Sequence, residues 1–356
     1  MRNAFLDAIG VEHPIIQAPM GGANATPPAL VSAVSNAGGL GFVGAAYMSP
    51  EQIARETKAV RAATSRPFGI NLFITVNEAS PSSVEGAIAQ IATYHAELGL
   101  APPTPPILPA FSFDEQLDAV LASGARVFSY AFGLLPPETV RAIKQRGMYV
   151  VGTATTVEEA VLHEQSEVDA VAAQGSEAGA HRGTFASTFE AAMIGTMALV
   201  PQMVRAVRIP VLAAGGIMNG AGIAAALALG ASAAQMGTAF LTTDECGIPE
   251  SYKRAIVATP ANETRVTRAF SGRPARGIVN RAMDEIERSE TILPYPYQNS
   301  LTRAMRTEAA KQGRIEYLSL WAGQGGRLAR RMPAAKLVET LVQELKSETL
   351  RFQPTT

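Results

Sequence analysis

Residues 210–238 read PVLAAGGIMNGAGIAAALALGASAAQMGT. An apolar run, Pro210–Ala213, leads into the diglycine Gly215-Gly216. An alanine-rich stretch of helical length, Gly220–Gly230, follows it. A second apolar run, Ala233–Met236, then ends in Gly237-Thr238. Strand, turn, helix, strand is the rhythm of a parallel sheet with helical crossovers. No charged side chain occurs between Arg208 and Asp244. That gap raises the question of a membrane span. The glycines, Asn219 and Gln235 answer it, because they cut the run into pieces shorter than the ~20 apolar residues a spanning helix needs.

Outward from this stretch the same rhythm recurs. Further strand-like runs are Ile15–Ala18, Leu40–Val43, Phe68–Phe73, Arg126–Tyr130, Tyr149–Gly152 and Ala170–Ala173. Most are apolar throughout, as strands covered on both faces are. Helical patterns separate them: Pro28–Ala37, Ser49–Ala63, Pro136–Gly147 and Thr156–Ser166. The second opens with Ser49-Pro50-Glu51, a cap followed by a first-turn proline. Eight strands over roughly 240 residues predict an α/β fold, a (β/α)8 TIM barrel, whose usual size is about 250 residues. A doubly wound open sheet is the alternative. The barrel is expected over residues 1–240, with an insertion near 80–109 that includes the proline-rich stretch Ala101–Pro109. A smaller, mainly helical cap is expected over 241–333. Residues 334–356 are expected to form a C-terminal helix that packs back on the barrel.

Composition excludes several classes. Hydrophobic residues are 47% of the 356 and charged residues 17%, against a usual charged share of about 25%, so wholesale disorder is excluded. A net charge of −1 gives no electrostatic case for nucleic acid or an anionic membrane. Cys246 is the one cysteine, so there is no intrachain disulfide, and no CxxC or other metal cluster is visible. The N-terminal MRNAFLDAIG carries Asp7 and no apolar signal core. A soluble, cytoplasmic enzyme is expected.

Gly39-Leu40-Gly41-Phe42-Val43-Gly44 spells GxGxxG, but a helix precedes it and a strand runs through it, the reverse of a dinucleotide site. These glycines are read as letting a strand pass close to its neighbours. Gly215-Gly216 and Gly237-Thr238 end the seventh and eighth strands, where such barrels commonly hold phosphate on backbone N–H groups. Residues 174–185, QGSEAGAHRGTF, follow the sixth strand and are read as a flexible polar loop on the catalytic face. His181 lies in it and suits proton transfer, unless it only ties loop backbone. His13, His95 and His163 are read as solvated. Asn71, a polar residue inside FGINLF, and Gln174 are candidates to pair with a heteroaromatic ring edge, together with backbone at Ala18, Pro19 and Met20. Tyr130, Tyr295 and Tyr297 (PYPYQN), Trp321 and Gln324 (WAGQGG) are candidates for the substrate pocket.

Taken together, QAPMGG (17–22), GGLGFVGAA (38–46), FGINLF (68–73), AQGSEAGAHRGTF (173–185), LAAGGI (212–217), AQMGTAFLTT (234–243) and AGQ (322–324) resemble the nitronate monooxygenases, formerly called 2-nitropropane dioxygenases. The flavin-dependent enoyl-acyl carrier protein reductases share much of the same barrel pattern. The resemblance implies an FMN enzyme that oxidises alkyl nitronates, such as propionate 3-nitronate, with O2 to a carbonyl compound and nitrite. It implies that Ala18, Pro19 and Met20 line the flavin and that Asn71 and Gln174 bond it. Gly179, Gly215, Gly216, Gln235, Met236, Gly237 and Thr238 would hold its chain and phosphate. His181 matches the active-site histidine, as base or as electrostatic anchor. Two positions depart from the family pattern: Ala180, more often glycine, and Ala131, more often bulkier or polar. A homodimer is compatible with the resemblance. Two other functions stay open: an NAD(P)H-dependent flavin reductase of quinones or enoyl thioesters, and a non-catalytic FMN-binding protein.

Overall fold

The computed structural model describes residues 3–74 and 80–351. The strands in chain order are β1 (Ile15–Gln17), β2 (Gly41–Gly44), β3 (Phe68–Phe73), β4 (Val127–Ala131), β5 (Tyr149–Ala154), β6 (Ala170–Gln174), β7 (Ala180–His181), β8 (Val211–Ala214), β9 (Ala233–Met236), β10 (Thr264–Thr267) and β11 (Ala275–Ile278). Eight of them form one parallel sheet in the order β1-β9-β8-β6-β5-β4-β3-β2. A parallel bridge between Ile16 and Leu40 joins the two ends and closes the barrel. Gln17, fully buried, reinforces that seam, because its Oε1 accepts from Phe42 N at 3.0 Å. The fold is the (β/α)8 TIM barrel, and the open doubly wound sheet is excluded.

The apolar strand runs follow from burial on both faces. Phe68, Ile70 and Leu72 are all wholly buried in β3, and burying each such side chain is worth about 1.5–3 kcal/mol. The GxGxxG glycines serve packing. A Cβ on Gly41 would sit 2.3 Å from Val31 O in the helix Pro28–Asn36, and one on Gly44 would sit 2.6 Å from Met20 O. The helix Pro50–Ala63 starts on a capping box, with Ser49 and Gln52 each bonding the other's backbone.

Three features position the barrel's ends. The helix Ala4–Ile9 buries Phe5, Leu6 and Ile9 against Leu40, Val127 and Leu212, plugging the N-terminal end of the barrel. The helix Ala334–Arg351 packs through Leu337, Val338, Leu341 and Leu345. Gly220, opening the helix Gly220–Ala228, allows the close approach: a Cβ there would stand 2.2 Å from Glu344 Cβ, and its N–H donates to Glu344 Oε2 at 2.9 Å. Residues 352–356 of the expected C-terminal segment lie outside the described residues. The helix Glu85–Glu97 of the insertion is fastened to the later part of the chain by the Arg281–Glu97 ion pair at 2.7 Å and by Gln90 Nε2 to Glu285 O at 3.1 Å.

After β9 the chain is not purely helical. β10 and β11 form an antiparallel hairpin, and β7, from the loop after β6, pairs with β11 to complete a three-stranded sheet. That sheet brings His181 opposite Ala275. Among the described residues no helix is long and apolar enough to cross a membrane.

Candidate active site

A cavity of about 680 Å³ opens at the C-terminal ends of the barrel strands. Ala18, Pro19, Met20, Asn71, Gln174, Gly179, His181, Gly215, Gly216, Gln235, Met236, Gly237, Thr238 and Trp321 all line it. Residues from distant parts of the chain converge because each ends a strand or enters the loop behind one.

At one end lie the glycine turns. Gly215 and Gly216 have φ of +115° and +73°, left-handed values that a side chain would strain. They expose backbone N–H groups where β8 ends. Gly237 leaves room beside Ala18 and Met20, and Thr238 Oγ accepts from Gly323 N at 2.9 Å, pinning the later chain over the turn. Glu177 is the carboxylate in the cavity lining. It is turned into the start of the helix Thr196–Ala206, taking hydrogen bonds from Thr196 N and Oγ at 2.9–3.0 Å. Its charge is thereby already compensated beside the turns.

The loop after β6 is anchored, not the flexible segment its glycines suggest. Arg182 is 1% exposed and donates to the carbonyls of Gly175, Gln174 and Ala192. Glu159, wholly buried, accepts from Thr155 N, Phe185 N and Ala186 N. Gln174 spans the loop, with Nε2 on His181 O at 2.9 Å and Oε1 on Gly183 N at 2.8 Å. Asn71 Nδ2 is likewise engaged, donating to Ser129 Oγ at 2.9 Å. Part of each amide's capacity is therefore spent inside the protein.

His181 stands among four aromatic rings: Phe73, Phe132, Tyr295 and Trp321, with centroids 5.7–6.0 Å away. Its Nε2 lies 2.9 Å from Ser271 Oγ. Enclosure, helped by the Arg273 and Arg306 guanidiniums, pushes its pKa down to about 3, so the ring is neutral at neutral pH. Phe132, a bulky residue, has φ +81°, and Arg273 stacks on its ring at 3.9 Å. Strain of this kind collects at functional sites.

A cationic wall faces this aromatic box. Arg303, Arg306 and Lys311 line the cavity from the helix Arg303–Gln312. The hydrogen bonds of Arg306 go to neutral acceptors, the carbonyls and side chains of Thr302 and Asn299 and the hydroxyl of Ser319. Its charge is left for whatever occupies the cavity. Burial pushes its pKa down to about 10, still cationic at neutral pH.

Four expected substrate residues lie elsewhere. Tyr130 is wholly buried, and its hydroxyl meets His163 Nδ1 at 3.2 Å. A period-2 strand sends it away from the mouth. Tyr297 reaches Ser80 Oγ at 2.9 Å. Gln324 is exposed, and its backbone N–H donates to Glu177 O. Tyr295 stands behind the lining, packed on His181 and Phe132. His163 and His95 are buried rather than solvated, each bonded to a backbone carbonyl, at Thr153 and Ala101. The residues the sequence did not single out are Tyr47, Phe73, Phe132, Arg303, Arg306 and Lys311. The one available signal was Arg303–Arg306–Lys311, a basic stripe near helical spacing.

Among the described residues no group of His, Cys, Asp and Glu is arranged to hold a metal. The cavity's two glycine turns, ring-edge amides and uncompensated guanidiniums fit a large anionic cofactor with an aromatic ring.

The nitronate monooxygenase family model matches residues 2–344 of the chain. A probable nitronate monooxygenase of Staphylococcus saprophyticus is 42% identical over 340 residues, 94% of this chain and 95% of that one. One of Staphylococcus aureus is 40% identical over 347 residues, 97% of each. Among solved structures, a nitroalkane oxidase from Streptomyces ansochromogenes superposes with a TM-score of 0.91 at 42% identity, covering 99% of this chain and 100% of that one. FabK from Thermotoga maritima superposes with 0.78 at 30% identity, covering 99% of each. With a family match over nearly its whole length, the chain belongs to the nitronate monooxygenase family of flavin-dependent oxidoreductases.

Proposed function

We propose that the protein binds FMN in this cavity and oxidises alkyl nitronates with O2, releasing a carbonyl compound and nitrite. The observation that carries the proposal is the meeting, in one cavity, of glycine turns, a neutral histidine in an aromatic box and a guanidinium wall. The barrel would carry the cofactor, and residues 241–333 would supply the cationic wall and Trp321 on the substrate side, opposite Phe73 and Phe132 of the barrel.

Bound FMN supplies the electron acceptor and the reaction with O2. Gly215, Gly216, Gly237 and Thr238, with Gly179, Gln235 and Met236, would hold the phosphate and chain. Backbone at Ala18, Pro19 and Met20, with the unspent capacity of Asn71 and Gln174, would hold the ring. Arg306 attracts and orients an anionic nitronate, because opposite charge is worth most where water is excluded, and Arg303 adds charge at the exposed mouth. Trp321, Phe73 and Phe132 exclude that water. His181 sits at the junction of the two walls.

The test is nitrite release in air from purified, flavin-loaded protein given ethylnitronate. Absence of nitrite with every nitronate tried would reject the proposal. Rapid flavin reduction by NADH or NADPH would favour an enoyl thioester or quinone reductase instead.

A further inference from the structure

Ser271 is 1% exposed and lies between β10 and β11. Its hydroxyl has one hydrogen and two neighbours able to take it: Arg273 O at 3.0 Å and His181 Nε2 at 2.9 Å. A carbonyl only accepts, whereas an imidazole nitrogen accepts or donates according to tautomer. Giving the hydrogen to Nε2 would deprive the carbonyl of its donor. Giving it to Arg273 O satisfies both groups, since the imidazole then supplies its own Nε2–H to Ser271 Oγ. That oxygen also accepts from Arg273 N at 3.3 Å.

The other ring nitrogen follows from this. His181 Nδ1 makes no hydrogen bond among the described residues, and it is not one of the buried unpaired polar atoms. It is therefore the ring nitrogen open to the cavity that His181 lines.

We propose that Ser271 is a positioning residue that locks His181 as the Nε2–H tautomer, so that the Nδ1 lone pair faces the substrate as a proton acceptor. The inference rests on the nitronate proposal above and on the base role that the family resemblance implies for His181 toward neutral nitroalkanes; what it adds is the tautomer and the residue that sets it. The α C–H bond of the nitroalkane breaks, its proton goes to Nδ1, and its electron pair stays on the nitro-bearing carbon. The products are a nitronate already in place and an imidazolium; Arg306 favours the anion and opposes the free imidazolium, so the proton stays on Nδ1 only while the nitronate lies beside it. A nitronate supplied as such skips this transfer, so the two substrates depend on Ser271 to different degrees.

The test uses flavin-loaded protein carrying ¹⁵N-histidine. Long-range ¹H–¹⁵N spectra report which ring nitrogen of each histidine is protonated, and His181→Gln assigns the signal. The expected result is His181 protonated on Nε2. Ser271→Ala should mix the tautomers and lower nitroethane turnover about tenfold or more relative to ethylnitronate turnover. Ser271→Thr, which keeps the hydroxyl, should retain the wild-type tautomer and ratio. A wild-type His181 protonated on Nδ1, or an unchanged substrate ratio in Ser271→Ala, overturns the proposal. If Ser271→Ala fails to fold, the wild-type spectrum still decides. Absence of ethylnitronate turnover would reject the parent reading while leaving the tautomer result to stand or fall separately.

Discussion

Gln174 and His181 are joined by a hydrogen bond from the Gln174 amide to the His181 carbonyl, at 2.9 Å. The same amide accepts from Gly183 N at 2.8 Å, so one side chain at the end of β6 sets the path of the backbone on both sides of Arg182. The barrel wall thus fixes the histidine through its main chain, while Ser271 fixes it through its ring.

Gln174→Leu removes both bonds and leaves a carbonyl and an N–H unpaired. We expect a loss of about 1–3 kcal/mol in unfolding free energy and a lower kcat with ethylnitronate. Urea denaturation and steady-state kinetics check this. Unchanged stability and turnover would mean that the loop is held without Gln174.

Gly216→Ala places a side chain at φ +73°, at a cost of about 1–2 kcal/mol, on the turn assigned to the phosphate. The variant should fold but purify with much less flavin, measured from the absorbance of a denatured extract. Full flavin content would move the phosphate elsewhere.

Arg306→Met removes a cation whose partners are neutral. Charged hydrogen bonds are worth about 1.5–3 kcal/mol, so kcat/KM for ethylnitronate should fall about ten- to a hundredfold. High salt should lower kcat/KM in the wild type and so narrow its gap to the variant, because screening weakens the attraction. An unaltered kcat/KM would remove the guanidinium wall from substrate recognition.

The two neutral histidines make stability depend on pH. His163 is wholly buried, and its pKa is pushed from 6.5 to about 4 by burial. A folded-state pKa below the unfolded one means that the unfolded chain binds the proton first. Stability is therefore full above pH 6.5 and declines as pH falls toward 4, by about 3 kcal/mol for this residue. Urea midpoints across that range should drop less steeply in His163→Gln than in the wild type. Parallel slopes would show that His163 does not titrate against folding.

Ala180→Gly tests the backbone at the residue before His181. Ala180 has φ +63°, a conformation that costs an alanine about 1–2 kcal/mol, offset in part by glycine's greater unfolded entropy. We expect an unchanged or modestly raised melting temperature. A clear drop would show that the alanine methyl makes contacts that outweigh the backbone strain.

Sequence pattern revealed the barrel because buried parallel strands are apolar throughout and end at glycine turns. β3 and β9 begin and end at the residues read from sequence, Phe68–Phe73 and Ala233–Met236. The cavity's barrel side was legible for the same reason, since position along a strand dictates which end faces the mouth. The cap was less so. β10 is TRVT, short and polar, and its sheet is completed by β7 from a loop some 80 residues earlier, a long-range pairing that no local pattern encodes. Tyr130 misled because nearness to a strand's end does not fix which way its side chain points. Arg306 was missed because a basic helical stripe ordinarily faces water.

Anaerobic rapid mixing of the yellow holoenzyme with ethylnitronate and, separately, with NADH, following the flavin absorbance, decides whether the nitronate itself reduces the flavin. Prompt bleaching by the nitronate is expected, with little change on NADH over the same time. Prompt bleaching by NADH with none by the nitronate would contradict nitronate oxidation.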